Sequence, residues 1–173
     1  MTDKVKVLIS EDKVNHRIKE MAEEISKEFE GKSIHLICIL KGSVFFTCEL
    51  AKRLTIPATI DFMSVSSYGS ETVSSGRVRI LKDLDESIQG KNVLIIEDII
   101  DSGKTLSYLK DLLAARAPES LSICTLLDKP DRREINVDVN YVGFVIPDEF
   151  VVGYGLDFNQ YYRNLPYVGF IEQ

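Results

Sequence analysis

Cysteine and histidine are scarce in this sequence, which holds three of the former and two of the latter. The cysteines Cys38, Cys48 and Cys124 are odd in number and form no Cys-x-x-Cys pair, so a disulfide framework is not expected. Two of them lie in apolar stretches, which favours buried free thiols in a reducing compartment. The histidines, His16 and His35, lack the spacing of metal ligands, which argues against a structural zinc site.

Long hydrophobic runs, repeats and an excess of positive charge are also missing. The apolar run that begins at Val93 ends already at Glu97, whereas a membrane helix needs ~20 residues. The start, Met1 to Lys4, has no signal-peptide core, so we expect a cytoplasmic protein without membrane contacts. The formal net charge of −6 repels nucleic acid, so any anion that binds must be held by a local binding site.

The chain does have 173 residues, 45% of them hydrophobic, which suffices for one globular domain with a buried core. After the capping residue Ser10, apolar residues at three- and four-residue spacing predict a helix that Gly31 ends. Further periodicity predicts strands at 34–40, 60–66, 77–81, 93–97, 121–127, 141–146 and 167–171, and helices at about 44–54 and 103–116. Strand, tight turn, helix and strand form a βαβ unit, so we predict an α/β fold with a mainly parallel central sheet flanked by helices.

The segment 93–105, VLIIEDIIDSGKT, concentrates the chemically useful side chains. It places the carboxylates of Glu97 and Asp98 at the carboxyl end of a buried strand, where open α/β sheets bind ligands. The free N–H groups of the following helix start can hold a phosphate. The residues of this predicted phosphate cradle are Asp101, Ser102, Gly103, Lys104 and Thr105. The alternative is that Asp101 or Ser102 only caps the helix.

Another phosphate-binding motif, the Walker A loop, also ends in Gly-Lys-Thr, as residues 103–105 do. It requires a glycine five residues before Gly103, where this chain has Asp98. A carboxylate there would repel a triphosphate, so nucleoside triphosphate hydrolysis is disfavoured.

The segment 93–105 resembles the signature with which type I phosphoribosyltransferases bind phosphoribosyl pyrophosphate (PRPP). Four more motifs resemble the hypoxanthine-guanine branch of that family, namely LKGS at 40–43, SYG at 67–69, DKP at 128–130 and FVVGYGLD at 150–157. Ser102 stands where many relatives have Thr, which keeps the hydroxyl. The resemblance covers nearly the whole chain and implies a single domain, 1–173, with a core at about 30–130 and a small hood built from the N-terminal segment and about 140–173.

The resemblance implies that the chain transfers the 5-phosphoribosyl group of PRPP to hypoxanthine or guanine, with Mg²⁺ as cofactor. Asp101 is implied as the general base that takes the purine proton. Glu97 and Asp98 are implied to bind the ribose hydroxyls, directly or through Mg²⁺, and Asp157 to bind a second Mg²⁺. The loop 101–105 is implied to hold the 5-phosphate.

Two further groups of residues follow from the same resemblance. The residues implied in pyrophosphate binding are Lys41, Gly42, Arg163, Ser67 and Tyr68, the last two in a lid over 67–76. Those implied in purine binding are Lys129, Phe150, Val151 and Asp157. An ammonium at position 129 would donate to a 6-oxo group and disfavour adenine.

Taken singly, each of these residues has a simpler interpretation. Lys41 could be a surface lysine, Arg163 an exposed salt-bridge partner and Lys129 a turn residue. Phe150 could belong to the core. The stretch 67–76 could be an ordinary hairpin connection.

The main alternative function is a regulator that binds PRPP or RNA. Such a role favours a basic face or an appended DNA-binding domain, and the acidic chain shows neither. The presence of Asp101, Lys129 and Asp157 favours an enzyme, and a purely structural subunit would need none of them. Relatives of this kind are dimers or tetramers, so we expect a homodimer or homotetramer.

Overall fold

The computed structural model describes residues 5–67 and 78–171. Its elements are β1 (Val5–Ile9), α1 (Glu11–Glu28), β2 (Ile34–Leu40), α2 (Val44–Arg53), β3 (Ala58–Ser67), β4 (Val78–Lys82), β5 (Asn92–Ile100), α3 (Lys104–Ala114), β6 (Ser120–Asp128), a 3₁₀ helix (Pro130–Arg132), β7 (Tyr141–Val145), β8 (Val151–Val152) and β9 (Val168–Ile171). The predicted order of helices and strands is confirmed. The strands β1 and β8 and the 3₁₀ helix were not predicted from the sequence.

A six-stranded sheet forms the centre of the fold, with strand order β4-β3-β2-β5-β6-β7. Neighbours from β3 to β7 pair in parallel, and β4 pairs with β3 antiparallel. The predicted mainly parallel sheet is therefore confirmed. The parallel arrangement brings the carboxyl ends of β2, β5 and β6 to one edge, where the loops that follow them meet.

Helices cover both faces of the sheet and form two apolar layers. Side chains of α1 and α2 pack with Leu36 and Leu94 on one face. Side chains of α3 pack with Ile37 and Ile95 on the other. Because successive strand residues point to opposite faces, a strand buried on both sides must be apolar at every position, as β2 nearly is.

A second, three-stranded sheet joins the two ends of the chain in the order β1-β9-β8. Its strands are antiparallel, with Val5 opposite Ile171 and Val151 opposite Phe170. Apolar residues of β8 and β9 belong to the same core layer as those of α1. The division into a core at about 30–130 and a hood stays a prediction.

The cysteines are free and differ in exposure. Cys38 and Cys124 are buried in strands, and burial raises the pKa of both thiols. Cys48 lies on the outer face of α2 and is exposed, so the expectation of buried thiols holds for only two of the three.

The helices within 5–67 and 78–171 are all too short or too polar to cross a membrane.

Candidate active site

Strand β5 carries the two adjacent carboxylates Glu97 and Asp98, called the acid pair below, and is longer than the sequence indicates. It continues to Ile100, three residues beyond the predicted end at Glu97. The extension arises because β6 pairs with β5 up to the register Ile100–Asp128. Glu97 and Asp98 therefore lie within the strand, not at its last residue.

Burial raises the pKa of both carboxyls of the acid pair. Burial raises the pKa of the Glu97 carboxyl well above its ordinary value, and the neighbouring Asp98 carboxylate adds to the shift. Burial also raises the pKa of Asp98 to about 6, although a hydrogen bond from the Ile99 N–H, 2.7 Å from Oδ1, opposes the shift. A bound cation would favour the charged form of both carboxyls and oppose these shifts. The pair is thus suited to a divalent metal.

The described residues do not complete a metal shell by themselves. Over the described parts of the chain, no three His, Cys, Asp or Glu side chains converge into a ready-made metal site. Mg²⁺ commonly binds through one or two carboxylates and fills the remaining positions with water and substrate oxygens. Two adjacent carboxylates therefore fit Mg²⁺ together with a substrate better than Mg²⁺ alone.

Replacing Asp98 with Asn should stabilise the ligand-free protein at alkaline pH. The raised pKa of Asp98 means that its contribution to stability is present below about pH 3.8 and is lost as pH rises through about 6. We expect the free energy of unfolding of the variant to exceed that of the wild type by about 1–3 kcal/mol at pH 8, and by less than about 1 kcal/mol at pH 4. Urea unfolding at both values measures this. Asp138→Asn, on an exposed residue, is the control; a gain of equal size at both pH values would contradict the prediction.

The predicted phosphate cradle is held in shape by a segment that the sequence analysis did not identify. The N–H groups of Glu134 and Ile135 both donate to the Ser102 carbonyl, at 2.9 and 3.0 Å. Gly103 directly precedes α3 with φ +83°, and a methyl group there would lie 2.3 Å from the Ile135 carbonyl oxygen. Only glycine combines this backbone conformation with such a close approach.

Arg133 connects the cradle to the neighbouring strand. Its Nε donates to the Asp101 carbonyl at 3.0 Å, and its guanidinium also pairs with Asp128 at the end of β6. An arginine in a charged stretch after a proline turn carries no sequence signal for this role. Only the tertiary contact identifies it.

A cavity of about 110 Å³ lies at the start of α3. Its polar lining comes from Glu97, Asp101, Ser102, Gly103 and Thr105. The Lys104 ammonium instead pairs with Glu134 at 2.5 Å, so Lys104 contributes backbone and not charge in this state. The proposed anion site is therefore built mainly from backbone N–H groups and hydroxyls.

Ser102 and Asp101 differ with respect to helix capping. The Ser102 hydroxyl accepts a long hydrogen bond, 3.4 Å, from the Lys104 N–H, so the capping interpretation holds weakly for this residue. Asp101 does not cap the helix. Its Oδ1 is buried and has no hydrogen-bond partner. An unpartnered buried carboxylate oxygen is costly, and it is suited to accept a proton from a ligand.

Three backbone segments meet beside the acid pair. A methyl group on Gly42 would lie 1.6 Å from Asp98 Oδ2, and one on Gly155 would lie 1.8 Å from the Gly42 carbonyl oxygen. Gly155 has φ +102°. The Lys41–Gly42 turn, whose Leu40–Lys41 peptide is cis, is thus enclosed between β5 and the loop after β8. The sequence analysis did not assign Gly155 a role, because its function is to leave space.

Arg163 is bound into the same region and is not an exposed salt-bridge partner. It donates to the Gly155 carbonyl at 2.7 Å and pairs with Asp157 Oδ1 at 2.7 Å. The second carboxylate oxygen of Asp157 accepts from the Gln160 N–H at 2.8 Å. Lys41 is exposed, as the simpler interpretation expects, but its ammonium lies 3.2 Å from Gln160 Oε1. The structure therefore brings Lys41 and Arg163 to one place.

A second cavity, of about 260 Å³, adjoins the acid pair. Its lining includes the residues predicted for purine binding and is formed by Asp98, Ile99, Asp101, Lys129, Arg132, Phe150, Val151, Leu156 and Asp157. Lys129 stands in the turn before the 3₁₀ helix, as the simpler interpretation expects, but its side chain is buried, with the residue 6% exposed. Its ammonium lies 3.9 Å from Asp148, which also binds Arg132.

Phe150 is 55% exposed, and the interpretation as a core residue is wrong. Its ring meets that of Phe158 edge to face, with centroids 5.7 Å apart. A half-exposed ring at the rim of a cavity leaves one face free for a flat ligand. Asp101 lines this cavity as well as the one at α3.

The predicted lid, 67–76, lies almost wholly outside the described residues. Ser67 ends β3, and its side chain, Tyr68 and residues 69–76 lie outside the described residues. Their predicted contacts with pyrophosphate stay predictions.

Comparison with known proteins adds to this geometry. The sequence profile of the phosphoribosyl transferase domain matches residues 10–159. The chain belongs to the phosphoribosyltransferase family. The fold and the enzyme class that the sequence predicts are thereby confirmed.

Individual phosphoribosyltransferases resemble the chain over nearly its full length. The hypoxanthine phosphoribosyltransferase of Buchnera aphidicola is 54% identical, over 98% of this chain and 97% of that protein. The Escherichia coli enzyme of the same name is 51% identical over 98% and 96%. The crystal structure of a hypoxanthine-guanine phosphoribosyltransferase from Bacillus anthracis superposes with a TM-score of 0.94 at 49% identity, covering 98% of this chain and 100% of that one. The role of each site residue stays a prediction.

Proposed function

We propose that the chain is a purine-salvage enzyme that transfers the 5-phosphoribosyl group of PRPP to hypoxanthine or guanine, yielding IMP or GMP and pyrophosphate. The names of its relatives and the geometry of the two cavities support this reaction. The single observation that carries the proposal is that Asp101 lines both cavities and has a buried, unpartnered oxygen. A base in one cavity and a sugar phosphate in the other would react at that junction.

Asp101 is the general base in this proposal. A 6-oxopurine must lose a ring proton when its nitrogen bonds to the anomeric carbon of the ribose. The free Oδ1 accepts that proton, while the Arg133 guanidinium fixes the backbone of Asp101 through its carbonyl. General base catalysis contributes about 10²–10⁴-fold, so alignment of the two substrates, worth ~7–11 kcal/mol, is the larger effect.

The 5-phosphate binds at the amino end of α3. Backbone N–H groups there point out of the helix, and the hydroxyls of Ser102 and Thr105 line the same cavity. Segment 133–135 holds the loop in its conformation before the substrate arrives. Such preorganisation lowers the entropic cost of binding.

The family requires a divalent metal, and we propose Mg²⁺ held by Glu97 and Asp98 with the ribose hydroxyls, and by Asp157 at a second position. When bound, Mg²⁺ neutralises charge that develops on the departing pyrophosphate. The Lys41 and Arg163 cations and the Gly42 backbone provide the rest of that stabilisation. Both oxygens of Asp157 already have partners, so a metal at this position would share or displace Arg163.

The purine is recognised by the second cavity. The Lys129 ammonium donates to the 6-oxo group, the Phe150 ring stacks on the base, and the Val151 backbone meets the opposite edge. Adenine carries a 6-amino group, which cannot accept from an ammonium. Because Lys129 is almost fully buried, an unpaired ammonium would be costly in an adenine complex.

A panel of four bases with PRPP and Mg²⁺ tests the proposed reaction. We expect pyrophosphate release with hypoxanthine, guanine or both, and a kcat/KM for adenine lower by about 10²-fold or more. Lys129→Met should lower kcat/KM for hypoxanthine by about 10–100-fold through loss of one charged donor. Lys27→Met, on an exposed face of α1, is the control. A preference for adenine would refute the assignment of Lys129.

We also propose that the chain acts in the cytoplasm as a homodimer or homotetramer, with no nucleic acid or membrane partner. A 40% identical hypoxanthine phosphoribosyl transferase of Trypanosoma cruzi was studied for the part that its C-terminal region plays in its oligomeric state. Light scattering over a range of protein concentrations distinguishes monomer, dimer and tetramer.

A further inference from the structure

Gln160 lies between the two cations of the proposed pyrophosphate site. Its side-chain oxygen Oε1 accepts from the Lys41 ammonium at 3.2 Å and from the Arg163 guanidinium at 3.3 Å. Lys41 follows β2 and Arg163 precedes β9, so the two cations come from distant parts of the chain. One neutral oxygen atom therefore holds together two positive groups that would otherwise repel each other.

The backbone at Gln160 is unusual for a residue with a side chain. Phe158 and Tyr161 form an antiparallel bridge, and the two residues between them, Asn159 and Gln160, have φ of +51° and +69°. Positive φ at both central residues is typical of a tight hairpin turn in which glycine is preferred at the second position. A side chain there costs about 1–2 kcal/mol. Such strain commonly marks a residue whose side chain is needed.

The same turn also organises Asp157. The Gln160 N–H donates to Asp157 Oδ2 at 2.8 Å, while Oδ1 of that carboxylate pairs with Arg163 at 2.7 Å. Gln160 thus contacts Lys41 through its side chain, Asp157 through its backbone and Arg163 through its side chain. Both cations therefore contact this one residue, and Arg163 is held in addition by the Gly155 carbonyl at 2.7 Å.

We propose that Gln160 is a positioning residue for the pyrophosphate group of PRPP, in addition to the residues assigned above. Its amide oxygen holds Lys41 and Arg163 together in the free protein, and a pyrophosphate oxygen replaces it when PRPP binds. The inference rests on the proposed function. An amide oxygen is suited to this role because a charged phosphate oxygen forms stronger hydrogen bonds with the same cations and displaces it.

Replacing Gln160 with Glu tests whether displacement occurs. The variant keeps the size and the acceptor but adds a negative charge, so it binds both cations more tightly and repels pyrophosphate. KM for PRPP and the dissociation constant of magnesium pyrophosphate, measured by calorimetry, should both rise by about tenfold or more. KM for hypoxanthine should stay within about twofold, because the purine cavity does not include Gln160.

Gln160→Gly separates positioning from a purely structural role. Glycine relieves the positive φ, so the variant should melt at a higher temperature than the wild type. It also removes the shared acceptor, so KM for PRPP should still rise by about three- to tenfold. A structural residue would not give a more stable protein that binds PRPP more weakly.

Asn159→Asp is the matched control, since it adds the same charge one residue earlier in the same turn. The proposal is overturned if this variant raises KM for PRPP as much as Gln160→Glu does, or if both Gln160 variants bind PRPP within twofold of the wild type. Failure of the proposed function is seen separately, as the absence of PRPP-dependent pyrophosphate release by the wild type. Calorimetry with magnesium pyrophosphate measures the effect of the Gln160 substitutions whether or not the wild type turns over PRPP.

Discussion

Replacing Asp101 with Asn should lower kcat by about 10²–10⁴-fold and leave the affinity for PRPP within a few-fold. The amide has the size of the carboxylate but cannot take a proton from the purine. Asp101 accepts no hydrogen bond at Oδ1, so the substitution breaks none there. Arg133 contacts the Asp101 backbone, which the substitution preserves, so the predicted phosphate cradle should keep its conformation. Single-turnover kinetics with saturating PRPP and hypoxanthine measure the chemical step.

The control for this experiment is Asp131→Asn. Asp131 is an exposed aspartate in the 3₁₀ helix that follows β6, and the substitution changes the charge by the same amount near the same cavities. Its turnover should stay close to that of the wild type. Unchanged turnover of Asp101→Asn would dismiss the general-base role, and an equal loss in both variants would assign the effect to charge alone.

Replacing Gly155 with Ala should have the largest effect on PRPP-dependent turnover among substitutions outside the acid pair and the predicted phosphate cradle. The new methyl group would lie 1.8 Å from the Gly42 carbonyl oxygen, and φ at this position is +102°. The Lys41–Gly42 turn must then move, and Gly42 loses its close contact with Asp98. We expect kcat/KM for PRPP to fall by about 10²-fold or more, as misplacement by about 1 Å does in other enzymes. Overpacking should also lower the free energy of unfolding by about 1–3 kcal/mol.

Gly31→Ala separates the clash from the backbone strain. Gly31 also has a positive φ, +76°, but no atom lies within 4 Å of a methyl group placed there. This variant should lose about 1–2 kcal/mol of stability from the left-handed conformation and keep its activity. Urea unfolding and steady-state kinetics on both variants measure the two effects. If both variants lost activity equally, strain and not the contact with Gly42 would be responsible.

Elements with continuous apolar patterns were predicted closely. The bounds of β2, Ile34–Leu40, agree with the prediction, because a strand buried on both faces must be apolar throughout and ends where polar residues begin. The predicted start of α3 at Gly103 lies one residue before the observed start at Lys104, because the three- and four-residue spacing of its apolar residues is a local pattern. Local chemistry decides both features. By contrast, β1 and β8 are short strands that become regular only by pairing with β9, and their sequences carry no comparable pattern.

The residues of the candidate site likewise fall into those that a local pattern predicts and those that only the tertiary structure identifies. By itself the sequence determined the family and predicted the acid pair and the phosphate cradle, because these residues are contiguous and a short stretch of chain expresses their chemistry. Only the tertiary structure decided the parts that depend on distant segments. These are the Arg133 contact with Asp101, the space that Gly155 leaves for Gly42, and the position of Gln160 between Lys41 and Arg163. The physical reason is that a side chain's role in such contacts is set by its neighbours in space, which the order of residues along the chain does not specify.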